Sequence, residues 1–141
     1  MADRADADDP RRLAAQFELV QRELARTERR LAALQDALVE TQQAIATLDA
    51  VAATPGSIEA LVPIGAGVHV RAAVDPHALV LRPLGAGYAT ESSAAEAQRS
   101  LAARSEAVQR SFHEASEEAD RLANTAAALN ERLSALAQQS P

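Results

Sequence analysis

Residues 13–48, LAAQFELVQRELARTERRLAALQDALVETQQAIATL, place Leu13, Phe17, Val20, Leu24, Thr27, Leu31, Leu34, Leu38, Thr41, Ile45 and Leu48 at alternating steps of four and three. Nine of these eleven positions are apolar and two are Thr, while the positions between carry mostly Arg, Glu, Gln, Asp and Ala. A step averaging 3.5 residues keeps one narrow apolar stripe along one side of a helix, which is the a/d seam of a coiled coil. Asp9-Pro10 reads as an N-cap followed by the first helical residue, and Thr54-Pro55-Gly56 ends the run.

The last third repeats the pattern. Leu101, Ser105, Val108, Phe112, Ala115, Ala119, Leu122, Ala126, Leu129, Leu133 and Leu136 keep the same alternation, and Ser93 with Glu96 has the spacing of a capping box. Each seam spans 36 residues, roughly 54 Å of helix. Equal length is what an antiparallel hairpin needs if neither arm is to leave apolar surface in water. Folding Leu13 onto Leu136 and Leu48 onto Leu101 sets Leu24 near Ala126, Thr27 near Leu122, Leu31 near Ala119 and Leu34 near Ala115. Large then faces small, as close packing requires. Two unrelated amphipathic helices on a globular core are the alternative, but they would carry a wider stripe.

Composition agrees with an elongated, helix-rich chain. Of 141 residues, 48% are apolar but only 2% aromatic (Phe17, Tyr88 and Phe112), so Ala, Leu and Val dominate. These fill helix seams well and build a thick core poorly. The net charge of −6 argues against nucleic acid and against anionic membrane surfaces. There is no Cys, hence no disulfide framework or thiolate metal site. A polar, acidic start (Met1-Ala2-Asp3-Arg4-Ala5-Asp6) does not read as a signal peptide, and no apolar run approaches a membrane span. The expectation is a cytoplasmic protein.

Between the arms the period changes from 3.5 to 2. Val68-His69-Val70-Arg71-Ala72 and Leu79-Val80-Leu81-Arg82 alternate, punctuated by Pro and Gly. The segment also matches itself after a shift of twenty residues: Leu61-Val62-Pro63-Ile64-Gly65-Ala66-Gly67-Val68 aligns with Leu81-Arg82-Pro83-Leu84-Gly85-Ala86-Gly87-Tyr88. Six of the eight positions are identical or an Ile/Leu exchange. Each copy reads as strand, Gly-Ala-Gly turn, strand, with Asp75-Pro76-His77 as the turn between copies. Two short hairpins so rich in Val and Leu have open edges and no cover of their own. Pairing with other chains is the expected remedy, with Leu61, Val62, Ile64, Val68, Val70, Leu79, Leu81 and Tyr88 as the candidate interface. The expected organisation is an acidic, disordered tail (1–9), a first coiled-coil helix (10–53), two β-hairpins (54–92), a second coiled-coil helix (93–137) and a short C-terminal tail (138–141).

A helix, the run Leu-Val-Pro-Ile-Gly-Ala-Gly-Val-His-Val-Arg-Ala (61–72), then Gly-Ala-Gly-Tyr (85–88) and a second helix resembles the α-class subunit of prefoldin, also called GimC. The resemblance covers about Leu13 to Leu136. Two hairpins between the helices fit the α class, since the β class carries one. Pro83 departs from the expected second hairpin, because a strand proline blocks a ladder bond. The resemblance implies a hexamer of two α and four β subunits, with the hairpins merged into a double β-barrel platform bearing six coiled coils. It further implies ATP-independent capture of unfolded client proteins at the coiled-coil tips and delivery to a group II chaperonin.

For such a holdase the candidate client-binding residues are Leu13, Phe17 and Val20 on one arm and Leu129, Leu133 and Leu136 on the other, freed as helix ends fray. The same six are also plain seam residues, and the pattern alone does not choose. Rival readings are a structural or filament-forming coiled-coil protein that self-assembles through its β module, and an adaptor that docks a partner helix. Catalysis is not expected. Gly65-Ala66-Gly67 and Gly85-Ala86-Gly87 lack the third glycine of a dinucleotide fingerprint, and with no Lys there is no phosphate-binding Gly-Lys-Ser/Thr. His69, His77 and His113 lack metal-ligand spacing, and the Glu117, Glu118, Asp120 cluster reads as a solvated helix face. Neither cofactor nor metal is expected.

Overall fold

The computed structural model describes residues 9–139, so the tails expected at 1–9 and 138–141 lie largely outside the described residues. The elements follow in the order α1 (Pro10–Ala53), β1 (Ile58–Gly65), β2 (Val68–Val74), β3 (Val80–Gly85), β4 (Tyr88–Ser92) and α2 (Ala94–Gln139). Local chemistry sets the helix boundaries. The Asp9 carboxylate accepts the Arg11 N–H at 3.0 Å, capping the free donors of the first turn, and Pro10 occupies the position where no N–H is needed. At the other end Thr54 N–H donates to the Val51 carbonyl at 3.2 Å, and Gly56, at φ 79°, turns the chain out of the helix. Ser93 and Glu96 form a reciprocal box: the Ser93 hydroxyl accepts the Glu96 N–H at 3.2 Å and the Glu96 carboxylate accepts the Ser93 N–H at 3.1 Å. As Ser93 is the cap, the helix proper begins at Ala94.

Burial follows the seams. All eleven seam positions of each helix are buried or half-buried. Of the other positions between 13 and 48 only Ala25, Ala37 and Ala44 are not exposed, and between 101 and 136 only Ser111 and Ser116. Ala115 is fully buried, and Ala126, Thr27 and Thr41 nearly so. The Thr41 hydroxyl donates to the Ala37 carbonyl at 2.7 Å, which satisfies a polar atom inside the seam without a partner helix.

The chain forms two compact units, Met1–Asp36 with Gln109–Pro141, and Ala37–Val108. In the first, Phe17 and Leu24 share a groove with Ala126 and Asn130, and Arg30 faces Glu118 at 3.9 Å. Rising numbers on α1 meet falling numbers on α2, so the pairing is antiparallel, and Leu24 lies with Ala126 as the seam register expects. In the second unit the Gln98 amide donates to the Asp49 carboxylate, and Leu48 and Leu101 line one groove.

The second unit also holds two separate two-stranded antiparallel sheets, β1–β2 and β3–β4. Their ladders repeat each other. Pro63 lies opposite His69 and Gly65 opposite Val68; Pro83 lies opposite Ala89 and Gly85 opposite Tyr88, with one register shift at the same place in each. Pro83 therefore stays in its strand. Like Pro63 it sits on an edge strand beside a bulge, where the ladder is already interrupted, so the missing N–H costs little. Ala66 and Ala86, both at φ 50°, complete matching tight turns.

Candidate assembly and client surfaces

Alternation along each strand divides a hairpin into two faces. On the first hairpin Ile58, Ala60, Ala72 and Val74 form a half-buried apolar patch near the sheet's open end, and the same face runs out to Val62 and Val70 toward the turn. The other face carries Glu59, Leu61, His69 and Arg71, with Arg71 and Glu59 paired diagonally. On the second hairpin the half-buried or buried residues are Val80, Arg82, Thr90 and Ser92. That face is mostly polar. Arg82 Nη1 donates to the Ser100 hydroxyl on α2 at 2.9 Å, while Arg82 Nε and Ser92 Oγ are buried without a hydrogen-bond partner.

All eight residues expected at an assembly interface are exposed, at 41% (Val62) to 73% (Leu81 and Tyr88) of their full surface. Leu84, 63% exposed, belongs with them and was missing from the sequence-based set. The twenty-residue repeat held the signal, because Leu84 is the counterpart of Ile64. Among the described residues, nine of the eleven exposed large apolar side chains fall between Leu61 and Tyr88. In the link between the hairpins only Leu79, just before β3, belongs to this set; in the turn itself the Asp75 carboxylate accepts the His77 N–H at 2.9 Å, Ala78 N–H donates to the Asp75 carbonyl at 3.1 Å, and Pro76 is buried.

The six candidate client residues stand differently. Leu13 is only 1% exposed, and Phe17, Val20, Leu129, Leu133 and Leu136 are half-buried. Phe17 does line the groove shared with Ala126 and Asn130. All six are seam side chains, packed to different depths. Leu19, 57% exposed and off the seam, is the large apolar residue that this end of α1 does present.

The electrostatics are mild. Hydrogen bonds from the Ser93 backbone and hydroxyl hold the Glu96 carboxyl below the ordinary glutamate range, with Arg99 and Arg82 adding to the effect. Among the described residues no three His, Cys, Asp or Glu side chains gather where they could hold a metal ion, and no helix is long and apolar enough to cross a membrane.

Two long helices joined through a pair of repeated β-hairpins, with most of the exposed large apolar side chains among the described residues on the segment between the helices, define the class of fold. The chain belongs to the prefoldin family: the prefoldin subunit model of that family matches residues 20–139. It is similar to prefoldin subunit alpha of Methanococcoides burtonii, 30% identical over 98 residues, which cover 70% of this chain and 71% of that one. Its fold resembles the cryo-EM structure of filamentous PFD from Methanocaldococcus jannaschii, with TM-score 0.54 and 21% identity over 86% of this chain and 94% of that one. Two hairpins and the match to an alpha subunit agree with the α class. Membership of the prefoldin family supports the role of a chaperone subunit for this chain.

Proposed function

We propose that the chain is the α-class subunit of a cytoplasmic, ATP-independent holdase, without enzymatic activity, which associates through its β module with one-hairpin β-class subunits, two α with four β. The assembled β-barrel platform would carry helix pairs whose ends hold unfolded proteins until a group II chaperonin receives them. The observation supporting this reading is the exposed apolar surface of the two hairpins, which has no cover within one chain. Several weak client sites on one platform gain avidity, because each later contact is intramolecular. Release without ATP then needs only that each contact be weak.

Native mass measurement tests the reading. The chain mixed with a β-class prefoldin subunit is expected to give one hexameric mass, and Val68→Asp with Val70→Asp should reduce it to smaller species. An unchanged complex would move the interface away from the hairpins. The filament-forming alternative draws on the fold likeness to a filamentous protein. It predicts open-ended growth of this chain by itself, with no need of a second subunit type.

A further inference from the structure

The internal repeat acts as a built-in comparison. Residues 61–68 and 81–88 share their turn, their bulge and their left-handed alanine, so their backbones are equivalent. Of eight aligned positions, only Val62/Arg82 and Val68/Tyr88 differ in chemistry. Val68 and Tyr88 are both exposed apolar residues and play alike. The pair that does not is Val62 and Arg82. Val62 is exposed and faces Val70 across the ladder, whereas Arg82 is drawn in, faces Thr90 and donates to Ser100 on α2.

Arginine is a costly choice there. Its Nε is buried without a partner, and a half-buried guanidinium so incompletely bonded is less favourable than an aliphatic side chain of the kind the first repeat uses. What the guanidinium supplies is direction, since a hydrogen bond to one hydroxyl is satisfied in one orientation, while apolar contact tolerates sliding. The contrast extends to the rest of each face. The first hairpin rests on Ile58, Ala60, Ala72 and Val74, and the second carries Thr90 and Ser92 beside Arg82.

We propose that Arg82 is a positioning residue that locks the second hairpin onto α2 through Ser100, so that two hairpins of equivalent backbone offer inequivalent surfaces to neighbouring subunits. This rests on the reading that the β module is the assembly surface. Inequivalence limits growth: if both hairpins accepted the same contact, each added subunit would present the same open edge again, and closure would be lost.

The test is Arg82→Val, which rebuilds the second repeat on the plan of the first, with Ser100→Ala as a milder variant and Arg82→Lys as the conservative one. Hydrogen exchange on the full chain should show protection of residues 80–92 falling about tenfold in Arg82→Val, as expected for losing a hydrogen bond to a charged group. Residues 58–74 should be unchanged. Ser100→Ala should follow Arg82→Val, and Arg82→Lys, which keeps the charge and a donor on a side chain one bond shorter, should retain part of the protection. The native mass of the assembly should change from one species to a spread of sizes in Arg82→Val. Protection of 80–92 equal to wild type, or equal loss in both hairpins, would overturn the proposal, as would an unaltered single mass in a complex that the Val68→Asp, Val70→Asp variant does break. If that double variant leaves assembly intact, the assembly reading fails, and the exchange contrast alone still decides whether Arg82 is the lock.

Discussion

Ala66 and Ala86 hold φ at 50°, a region that costs an L-residue with a Cβ about 1–2 kcal/mol. Each precedes a glycine in a two-residue hairpin turn, the place where Asn-Gly is the favoured pair. Ala66→Asn is therefore expected to stabilise the first hairpin by about 0.5–1 kcal/mol, read as slower exchange of residues 58–74; faster exchange would refute the turn assignment. Glu96 offers a pH-dependent counterpart at the start of α2. Its carboxyl titrates below its unfolded value because Ser93 donates to the charged form. Such a group contributes stability above the unfolded pKa and loses it as pH falls through the lower, folded pKa. Acidification below the ordinary glutamate range should fray residues 93–97, visible by NMR amide exchange, and Glu96→Gln should blunt the response.

At the scale of elements, the helix pair depends on size alternation across the seam. Ala115 has no exposed surface, so it has no room for a larger side chain. Ala115→Leu should cost about 1–3 kcal/mol by overpacking, whereas the same change at Ala103, exposed on the same helix, should cost almost nothing. Thermal melts of the two variants make the comparison, and equal losses would count against the seam register. The hairpins show the opposite economy. Both leave large apolar side chains exposed and both rely on matching turns, so their existence is legible in the Gly-Ala-Gly repeats of the sequence. Pro83 was harder to judge, because a proline in a strand reads as an interruption until the bulge beside it is seen.

For the whole molecule the question is what the six candidate client residues do. Leu13 is buried and Phe17 half-buried, so Leu13→Ala should cost about 2–5 kcal/mol, and a change at Phe17 less. If client capture uses opened helix ends, Phe17→Ser with Leu133→Ser should abolish suppression of aggregation of a denatured model protein while native mass stays the same. Full suppression by that double variant would assign capture to other surfaces. Leu34→Ala with Leu122→Ala should instead weaken the helix pair itself by several kcal/mol. The seam pattern could not separate these roles, because a residue that packs in the closed pair and binds in the opened one has the same spacing in the sequence.

What the sequence determined by itself was whatever depends on neighbours along the chain. Heptad spacing placed both helices, capping residues placed their ends, and period-two runs with glycine turns placed two hairpins, since each follows from local dihedral preference and side-chain direction. Only the tertiary structure decided matters that depend on residues far apart in the chain. It drew Arg82 to Ser100 while Val62, its repeat counterpart, stayed in solvent. It buried Leu13 and left its seam neighbours partly open. Identical local sequence yields identical backbone, but burial and hydrogen bonding depend on what lies opposite, and no periodicity encodes that.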